Sequence, residues 1–274
     1  MRQDPRKVPR PVSLKNFLLL EDTLEAASTG AVFSIGGDEG HHGARVMRLR
    51  AGESILVTDA CAHQAEASIV SVSKSSFDIE LSETPRYEEA PATLLVLVQA
   101  LAKGGRDESA IEMATELGVD RVIPWQADRS VVQWKGVKEE KGREKWRSRI
   151  NAAVKQSRRA RIPALETAVT SAELAPLIES AVSRGAMVLA LHESATERLG
   201  RVTRELAMRA ANAGEMPGEV WVLVGPEGGI SDEEIRRFSA AGATPVLLGN
   251  EILRASSAGP AALAALCSVI GRWQ

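Results

Sequence analysis

Two glycine-bearing segments near the C-terminus are the part of this 274-residue chain best suited to hold a small ligand. The first reads VGPEGG at 224–229, and the second reads LLGNEILR at 247–254. Each follows a short run of Val and Leu, so each is expected to be the loop after a buried strand. Loops that leave parallel strands at one sheet edge form the crevice in which α/β proteins bind ligands. The two segments therefore predict one shared pocket.

The residues after the first segment indicate the charge of that ligand. Ser231 and Glu234 have the spacing of a capping box, and Asp232 and Glu233 place two more acids in the same first helical turn. A nucleotide pyrophosphate would meet like charge there, whereas a cationic ligand without phosphate would not. S-adenosylmethionine, which carries a sulfonium and an ammonium, is the common cofactor of that description.

The second half of the chain is predicted to be an α/β domain with a mostly parallel sheet, because apolar runs alternate with helical patterns. Strands are expected at 93–101, 121–125, 186–193, 220–225 and 244–249. Helices are expected at 107–117, 142–159, 171–184, 197–212, 232–241 and 258–272.

The first part of the chain has a different pattern. Short alternating segments at 16–20, 31–35, 54–60, 65–73 and 77–83 are separated by turn residues, which is typical of a small antiparallel barrel. One short helix is expected at 38–48, and residues 85–93, PRYEEAPAT, are interpreted as a linker. The predicted domains are therefore 1–84, with a flexible basic N-terminal arm, and 92–274.

Charge is distributed unevenly. The net charge is -2, yet residues 135–161 contain eleven Lys and Arg against three Glu. Such a local excess favours contact with a polyanion, and Trp125, Trp134 and Trp146 nearby could stack on bases. The alternative is an ordinary solvated helix face.

Several classes of protein are disfavoured. No apolar run is long enough for a membrane span, and the first residues lack the apolar core of a secretion signal. The cytoplasm is therefore expected. Cys61 and Cys267 lie far apart without metal-ligand spacing, so both are predicted to be free thiols and no metal site is expected.

Several separated motifs together carry a family resemblance. LVGPEGG and LLGNEILR, preceded by ESAIEMATELGVDRVIPW and NAAVKQSRRARIP, resemble the ribosomal RNA small-subunit methyltransferase E family. The resemblance extends from about Leu18 to the C-terminus. It implies a trefoil-knotted methyltransferase domain of the SPOUT class after a PUA-like barrel. It also implies N3-methylation of a uridine in 16S rRNA, S-adenosylmethionine as cofactor, and a homodimer formed through the knot domain.

The resemblance also assigns residues. The implied cofactor-binding residues are Leu191, His192, Glu193, Gly225, Glu227, Gly228, Gly229, Leu248, Gly249, Asn250, Ile252 and Leu253. Arg254 is the implied catalytic residue, either steering an RNA phosphate or stabilising the uracil anion. The implied RNA contacts are His42, Arg45, Arg106, Arg129, Gln156, Arg159 and Arg161.

Alternatives stay open at several positions. The glycines could form an ordinary turn, Glu227 could cap that turn, and His192 could be a structural residue instead of a base. Arg254 could form a salt bridge at the sheet edge.

The chain also departs from the family pattern. Ala255, Ser256 and Ser257 replace Thr-Glu-Thr, so a family carboxylate is missing, although Glu251 lies one turn earlier. Lys155 replaces a glutamate and Met113 a lysine. The missing carboxylate keeps open the hypothesis of a catalytically silent rRNA-binding assembly factor. A 2'-O-ribose methyltransferase of the same knotted class is a neighbouring enzyme hypothesis. A nucleotide-binding oxidoreductase is disfavoured, because the chain has no GxGxxG after an early strand.

Overall fold

The structure, a computed structural model, describes residues 14–212 and 214–273. These residues form two compact units. The first comprises the described chain up to Glu89 together with Lys155–Arg161, and the second comprises Ala90–Val154 and the described chain from Ile162 on. The expected N-terminal arm lies outside the described residues.

The first unit contains a six-stranded sheet whose main order is β1-β3-β4-β5-β2. Its strands are β1 (Lys15–Leu18), β2 (Val32–Ile35), β3 (Ser54–Thr58), β4 (His63–Val72), β5 (Phe77–Leu81) and β6 (Arg86–Tyr87). Helix α1 (Gly37–His41) runs into a π-helical turn at His42–Val46. The antiparallel prediction holds for every pair except β1 and β3, which run parallel.

Two features of this unit differ from the sequence predictions. Residues 86 and 87 are not a free linker, because they pair with β4 as the short strand β6. A distant segment also joins the unit, since the carbonyl of Ala160 accepts hydrogen bonds from Ala62 N at 3.1 Å and Thr58 Oγ1 at 3.0 Å. Contacts between residues about a hundred positions apart leave no periodic signal in the sequence.

The second unit contains an eight-stranded sheet in which every pair runs parallel. Its main order is β10-β8-β7-β13-β11-β14-β12, and β9 pairs with β8. The strands are β7 (Leu94–Ala100), β8 (Arg121–Gln126), β9 (Ala164–Leu165), β10 (Val169–Thr170), β11 (Met187–Leu191), β12 (Glu197–Arg198), β13 (Glu219–Val224) and β14 (Thr244–Leu247). The helices are α2 (Arg106–Glu116), α3 (Val137–Ser157), α4 (Ser171–Ser183), α5 (Leu199–Ala211), α6 (Asp232–Ala240) and α7 (Ala255–Cys267).

The central strands of this sheet are covered on both faces. Val96 and Val98 on β7 belong to a core cluster shared with α4 and α6, whereas α7 packs against β7 and β13 on the other face. This two-sided burial explains the continuous apolar runs of these strands. Within the described residues, no helix has the length and apolar character to cross a membrane.

Candidate active site

Three loops meet at the carboxyl edge of the parallel sheet. β13 and β14, which end at the two glycine-bearing segments, lie on either side of β11, so the loop after β11 stands between them. Together the loops line a cleft of about 960 Å³. The cleft is lined by all twelve predicted cofactor residues, by Arg254, and by Arg106 and Arg129 from the predicted RNA contacts.

The first loop needs glycine at Gly225 for steric reasons. A Cβ atom there would lie 2.8 Å from Ile230 Cγ1 and 2.9 Å from Ile230 N, which is closer than real Cβ atoms approach their neighbours. Gly229 adopts a positive φ of 71°, in the left-handed region that favours glycine. The loop therefore turns back tightly on itself and leaves its backbone open to the cleft.

Neighbouring side chains fix this loop at separate points. Arg129 Nη1 donates to Gly228 O at 3.0 Å. Glu227 Oε1 accepts from Lys103 N at 3.0 Å and from Arg106 Nη1 at 3.2 Å. Glu227 thus accepts hydrogen bonds from two donors, and both it and Arg106 line the cleft.

His192 joins the loop after β11 to the first glycine loop. Its Nδ1 accepts from the Ser194 backbone N–H at 3.3 Å and lies 2.8 Å from Ser194 Oγ. Since a backbone N–H can only donate, Nδ1 is the acceptor and Nε2 carries the ring proton. Nε2 then donates to Ile230 O at 3.3 Å. These contacts give His192 a structural role, and a role toward a ligand stays a prediction.

Arg254 stands at the start of α7 with extended backbone angles, and its carbonyl accepts from Ser257 N at 2.8 Å and Ala258 N at 3.0 Å. Its side chain is exposed, and no described residue pairs with the guanidinium. The alternative of a salt bridge at the sheet edge is therefore not realised among the described residues. The guanidinium is available to an anionic group that enters the cleft.

The cleft walls combine apolar surface with acids. Leucine, isoleucine and valine side chains come from all three loops, and four carboxylates accompany three arginines along the lining. The carboxylates belong to Glu193, Glu227, Asp232 and Glu251. The acidic first turn of α6 is formed as expected, with the capping box between Ser231 and Glu234 in place.

The remaining predicted RNA contacts lie in the first unit. His42 begins the π-helical turn, and Arg45 Nε donates to Lys74 O at 3.1 Å. Arg161 lies over the ring of Tyr87 at 5.4 Å and donates to Tyr87 Oη at 3.1 Å. Gln156 is exposed and Arg159 half-buried. Their role toward RNA stays a prediction.

The prediction of base-stacking tryptophans is wrong for two of the three. Trp125 and Trp146 are buried, the first against Phe238 and the second against Trp134. Trp134 is itself half-buried, with its ring packed where Gly142 leaves room. The rings of Trp125 and Trp146 belong to the buried hydrophobic residues of the second unit.

Part of the basic excess at 135–161 is neutralised locally. Lys145 Nζ lies 2.6 Å from Glu108 Oε1, and Arg149 Nε lies 3.4 Å from Glu108 Oε2. In the first unit, Lys155 Nζ lies 2.5 Å from Glu39 Oε1, so the charge reversal at Lys155 is balanced by an acid. Some of these cations are therefore paired with acids of the protein itself.

The sequence interpretation missed some lining residues, including Ser194 and Ala258. Ser194 follows His192 closely and could have been found from that spacing. A buried glutamate next to the cleft, Glu234, was identified only as a helix cap, although two of its partners lie 63 and 106 positions away along the chain.

Comparison with known proteins agrees with this architecture. A family model described as an RNA methyltransferase domain matches residues 88–267, and one described as an RNA methyltransferase PUA domain matches residues 35–82. A solved putative methyltransferase from Legionella pneumophila, in complex with S-adenosylmethionine, is 26% identical with a TM-score of 0.79, covering 94% of this chain and 98% of its own. These matches agree with an α/β methyltransferase fold preceded by a PUA domain.

Curated relatives extend the match to nearly the whole chain. Ribosomal RNA small subunit methyltransferase E of Mycobacterium bovis is 38% identical, covering 93% of this chain and 93% of the relative. The protein of the same name from Bacillus subtilis is 30% identical, covering 90% of this chain and 94% of the relative. The chain therefore belongs to the ribosomal RNA small subunit methyltransferase E family.

Proposed function

We propose that this chain is an S-adenosylmethionine-dependent methyltransferase that methylates N3 of a uridine in 16S rRNA of the small ribosomal subunit. The observation that carries the proposal is the convergence of three loops, two of them glycine-bearing, on one cleft at the carboxyl edge of the sheet. Family membership supports methyl transfer to ribosomal RNA, and the family resemblance supports uridine N3 as the acceptor.

The residues around the cleft fit this cofactor. Apolar side chains such as Leu191, Leu248 and Leu253 offer surfaces for an adenine ring, and the bare glycine backbone allows close approach. The carboxylates of Glu193 and Glu251 supply negative charge for a sulfonium and an ammonium. When bound, the cofactor supplies an electrophilic methyl group.

The chemistry left to the protein is positioning and charge. Uracil N3 normally carries a proton and faces its pairing partner, so the base must be unpaired and the proton must leave before N3 can accept a methyl group. The exposed guanidinium of Arg254 can stabilise the negative charge on the uracil oxygens, and the cleft holds the acceptor in line with the methyl donor.

The experiment that tests the proposal is methyl transfer in vitro. Small ribosomal subunits from a strain that lacks the endogenous enzyme are incubated with the purified protein and S-adenosylmethionine labelled in the methyl group. The proposal predicts that label enters 16S rRNA in proportion to enzyme and time. Absence of label in 16S rRNA, with a known methyltransferase active in the same subunits, contradicts it.

A silent assembly factor is the second candidate, favoured by the absence of a carboxylate at residues 255–257. Calorimetry separates the two, because a silent relative that kept only its RNA-binding surface gives no heat with S-adenosylmethionine and still shifts 16S rRNA in a gel. A ribose methyltransferase is separated by the nucleoside that carries the label.

We also propose where the protein acts, its oligomeric state, its domain boundaries and its contacts with RNA. The protein acts in the cytoplasm as a homodimer formed through the methyltransferase domain, and residues 1–84 and 92–274 are its two domains. The first of these adds His42 and Arg45 to the RNA contacts, while Arg106 and Arg129 approach the RNA from the cleft.

A further inference from the structure

Glu234 is a buried carboxylate that joins three separate parts of the second unit. Its residue has no exposed surface. Oε2 accepts from Ser231 N at 2.8 Å, which is the ordinary capping-box contact at the start of α6. Oε1 accepts from Asp128 N at 2.8 Å and from Ser171 Oγ at 2.5 Å, neither of which a helix cap requires.

The contact with Asp128 connects Glu234 to the glycine loop through the turn at residues 127–130. Asp128 belongs to a turn in which Ser130 N donates to Ala127 O at 2.9 Å, and Ser130 Oγ donates to Leu101 O at 3.0 Å. The turn therefore has two outside anchors, Glu234 and Leu101. It presents Arg129, whose Nη1 donates to Gly228 O at 3.0 Å.

Arg129 is also in steric contact with the glycine loop. A Cβ atom on Gly228 would lie 3.2 Å from Arg129 Cβ, so the arginine lies against the loop along its aliphatic part as well as through its guanidinium. A shift of the turn would therefore move both the hydrogen bond to Gly228 and the surface on which the loop rests.

We infer that Glu234 is a positioning residue that holds the glycine loop in its ligand-binding shape through the 127–130 turn and Arg129. The inference rests on the proposed function, because the ligand that the loop receives is taken to be S-adenosylmethionine. It gives Arg129 a role in the cofactor site in addition to the RNA contact expected from the sequence.

The carboxylate cannot be replaced by an amide without conflict. Each oxygen of Glu234 faces a backbone N–H, Asp128 on one side and Ser231 on the other, and a backbone N–H can only donate. A glutamine must turn its NH₂ group toward one of the two. The change Glu234→Gln therefore breaks either the contact with Asp128 or the capping contact with Ser231, while keeping the size of the side chain.

A matched control exists in α4. Glu173 forms the same capping box with Thr170, accepting from Thr170 N at 2.8 Å, but it is exposed and makes no contact with the cleft. Glu173→Gln thus removes a capping carboxylate and leaves the 127–130 turn untouched. Ser130→Ala removes the other anchor of that turn and provides a second variant if Glu234→Gln folds poorly.

The experiment is calorimetric titration of the full chain and its variants with S-adenosylmethionine, well below their melting temperatures. We expect Glu234→Gln and Ser130→Ala to weaken binding roughly tenfold, from the size of couplings within such networks. Arg129→Ala is expected to weaken it as well, and the double variant Arg129→Ala with Glu234→Gln should bind no more weakly than Arg129→Ala alone. Glu173→Gln should lower the melting temperature and leave the affinity unchanged.

Each outcome decides the inference. Unchanged affinity in both folded Glu234→Gln and folded Ser130→Ala overturns it, and so does an additive loss in the double variant, because Glu234 would then act by another route. If Glu234→Gln does not fold, unchanged affinity in Ser130→Ala overturns it. If the wild-type chain itself does not bind the cofactor, the proposed function fails together with the inference.

Discussion

Single residues at the cleft have separable roles. Arg254 is exposed, lines the cleft and has no partner among the described residues, whereas the glycine loop is fixed by its own sterics and by Arg129. A residue that stabilises charge on the acceptor base should affect turnover, and a residue that shapes the cofactor loop should affect cofactor affinity.

Arg254→Ala is expected to lower kcat by about a hundredfold or more while cofactor affinity stays within about twofold, since the lost group stabilises charge that develops on the uracil. The measurement is a pair of assays, methyl transfer to small subunits and calorimetry with S-adenosylmethionine. Arg254→Lys should restore part of the rate because it restores the charge. Unchanged turnover in Arg254→Ala removes this residue from the catalytic assignment.

Gly225→Ala is expected to abolish detectable cofactor binding, because the added Cβ would lie within 3 Å of Ile230 and force the loop to move. The accompanying loss of stability is about 1–3 kcal/mol, as for other overpacked sites. Gly200→Ala is the control: it lies in α5, where a Cβ meets nothing within 4 Å. Cofactor affinity equal to wild type in Gly225→Ala contradicts the proposed use of this loop.

At the scale of elements, most strands and helices of the second unit could be predicted from the sequence. Apolar runs and capping residues are signals that lie within each element itself. The capping box at Ser231 is present, and the strands that end at the two glycine segments run parallel in one sheet, on either side of β11. Helix α7 begins at Ala255 instead of 258, since the carbonyl of Arg254 already accepts the first helical bonds.

The elements that could not be predicted from the sequence depend on contacts with residues far away along the chain. The two-residue strands β6, β9, β10 and β12 are too short to show any periodicity. Trp125 and Trp146 looked like candidates for base stacking because they flank a basic segment, but packing against residues of other elements buries them. The partners of Glu234 could not be predicted for the same reason.

The loop after β3 carries a prediction about pH. Asp59 has no exposed side-chain surface and accepts from Leu24 N at 3.1 Å, Cys61 N at 2.8 Å and His63 N at 3.0 Å. Burial opposes its ionisation, but these backbone hydrogen bonds and the His63 side chain outweigh burial and hold the pKa of the carboxyl below its ordinary value of 3.8. Its stabilising effect is therefore present above about pH 4 and is lost as pH falls through the lowered folded-state pKa.

Asp59→Asn should lower the free energy of unfolding of the first unit by about 3 kcal/mol at pH 7, because an amide turns a donor toward backbone N–H groups. The difference from wild type should shrink below about pH 4. Urea titrations at pH 7 and pH 3 followed by circular dichroism measure this, with the exposed Asp22→Asn as control. A difference that grows as pH falls contradicts the assignment.

For the whole molecule, family membership and the cleft of the second unit point to the same function. The chain matches its relatives over nearly its entire length, and the residues implied by the family motifs line one cleft of the second unit. Sequence motifs located the cleft, since its glycines and Arg254 lie in two short segments. The residues whose hydrogen bonds support the glycine loop from behind are far apart along the chain, so their contacts could be seen only in the structure. They are Glu234, Ser130 and Ser171.

The central claim is that this protein transfers a methyl group to N3 of a uridine in 16S rRNA. The most direct measurement is mass spectrometry of nucleosides from small subunits of an enzyme-deficient strain, before and after incubation with the protein and S-adenosylmethionine. The account predicts the appearance of 3-methyluridine in 16S rRNA, formed about a hundredfold more slowly with the Arg254→Ala variant. A ribose-methylated nucleoside in its place, or an unchanged nucleoside profile after incubation with folded wild-type protein, contradicts the account.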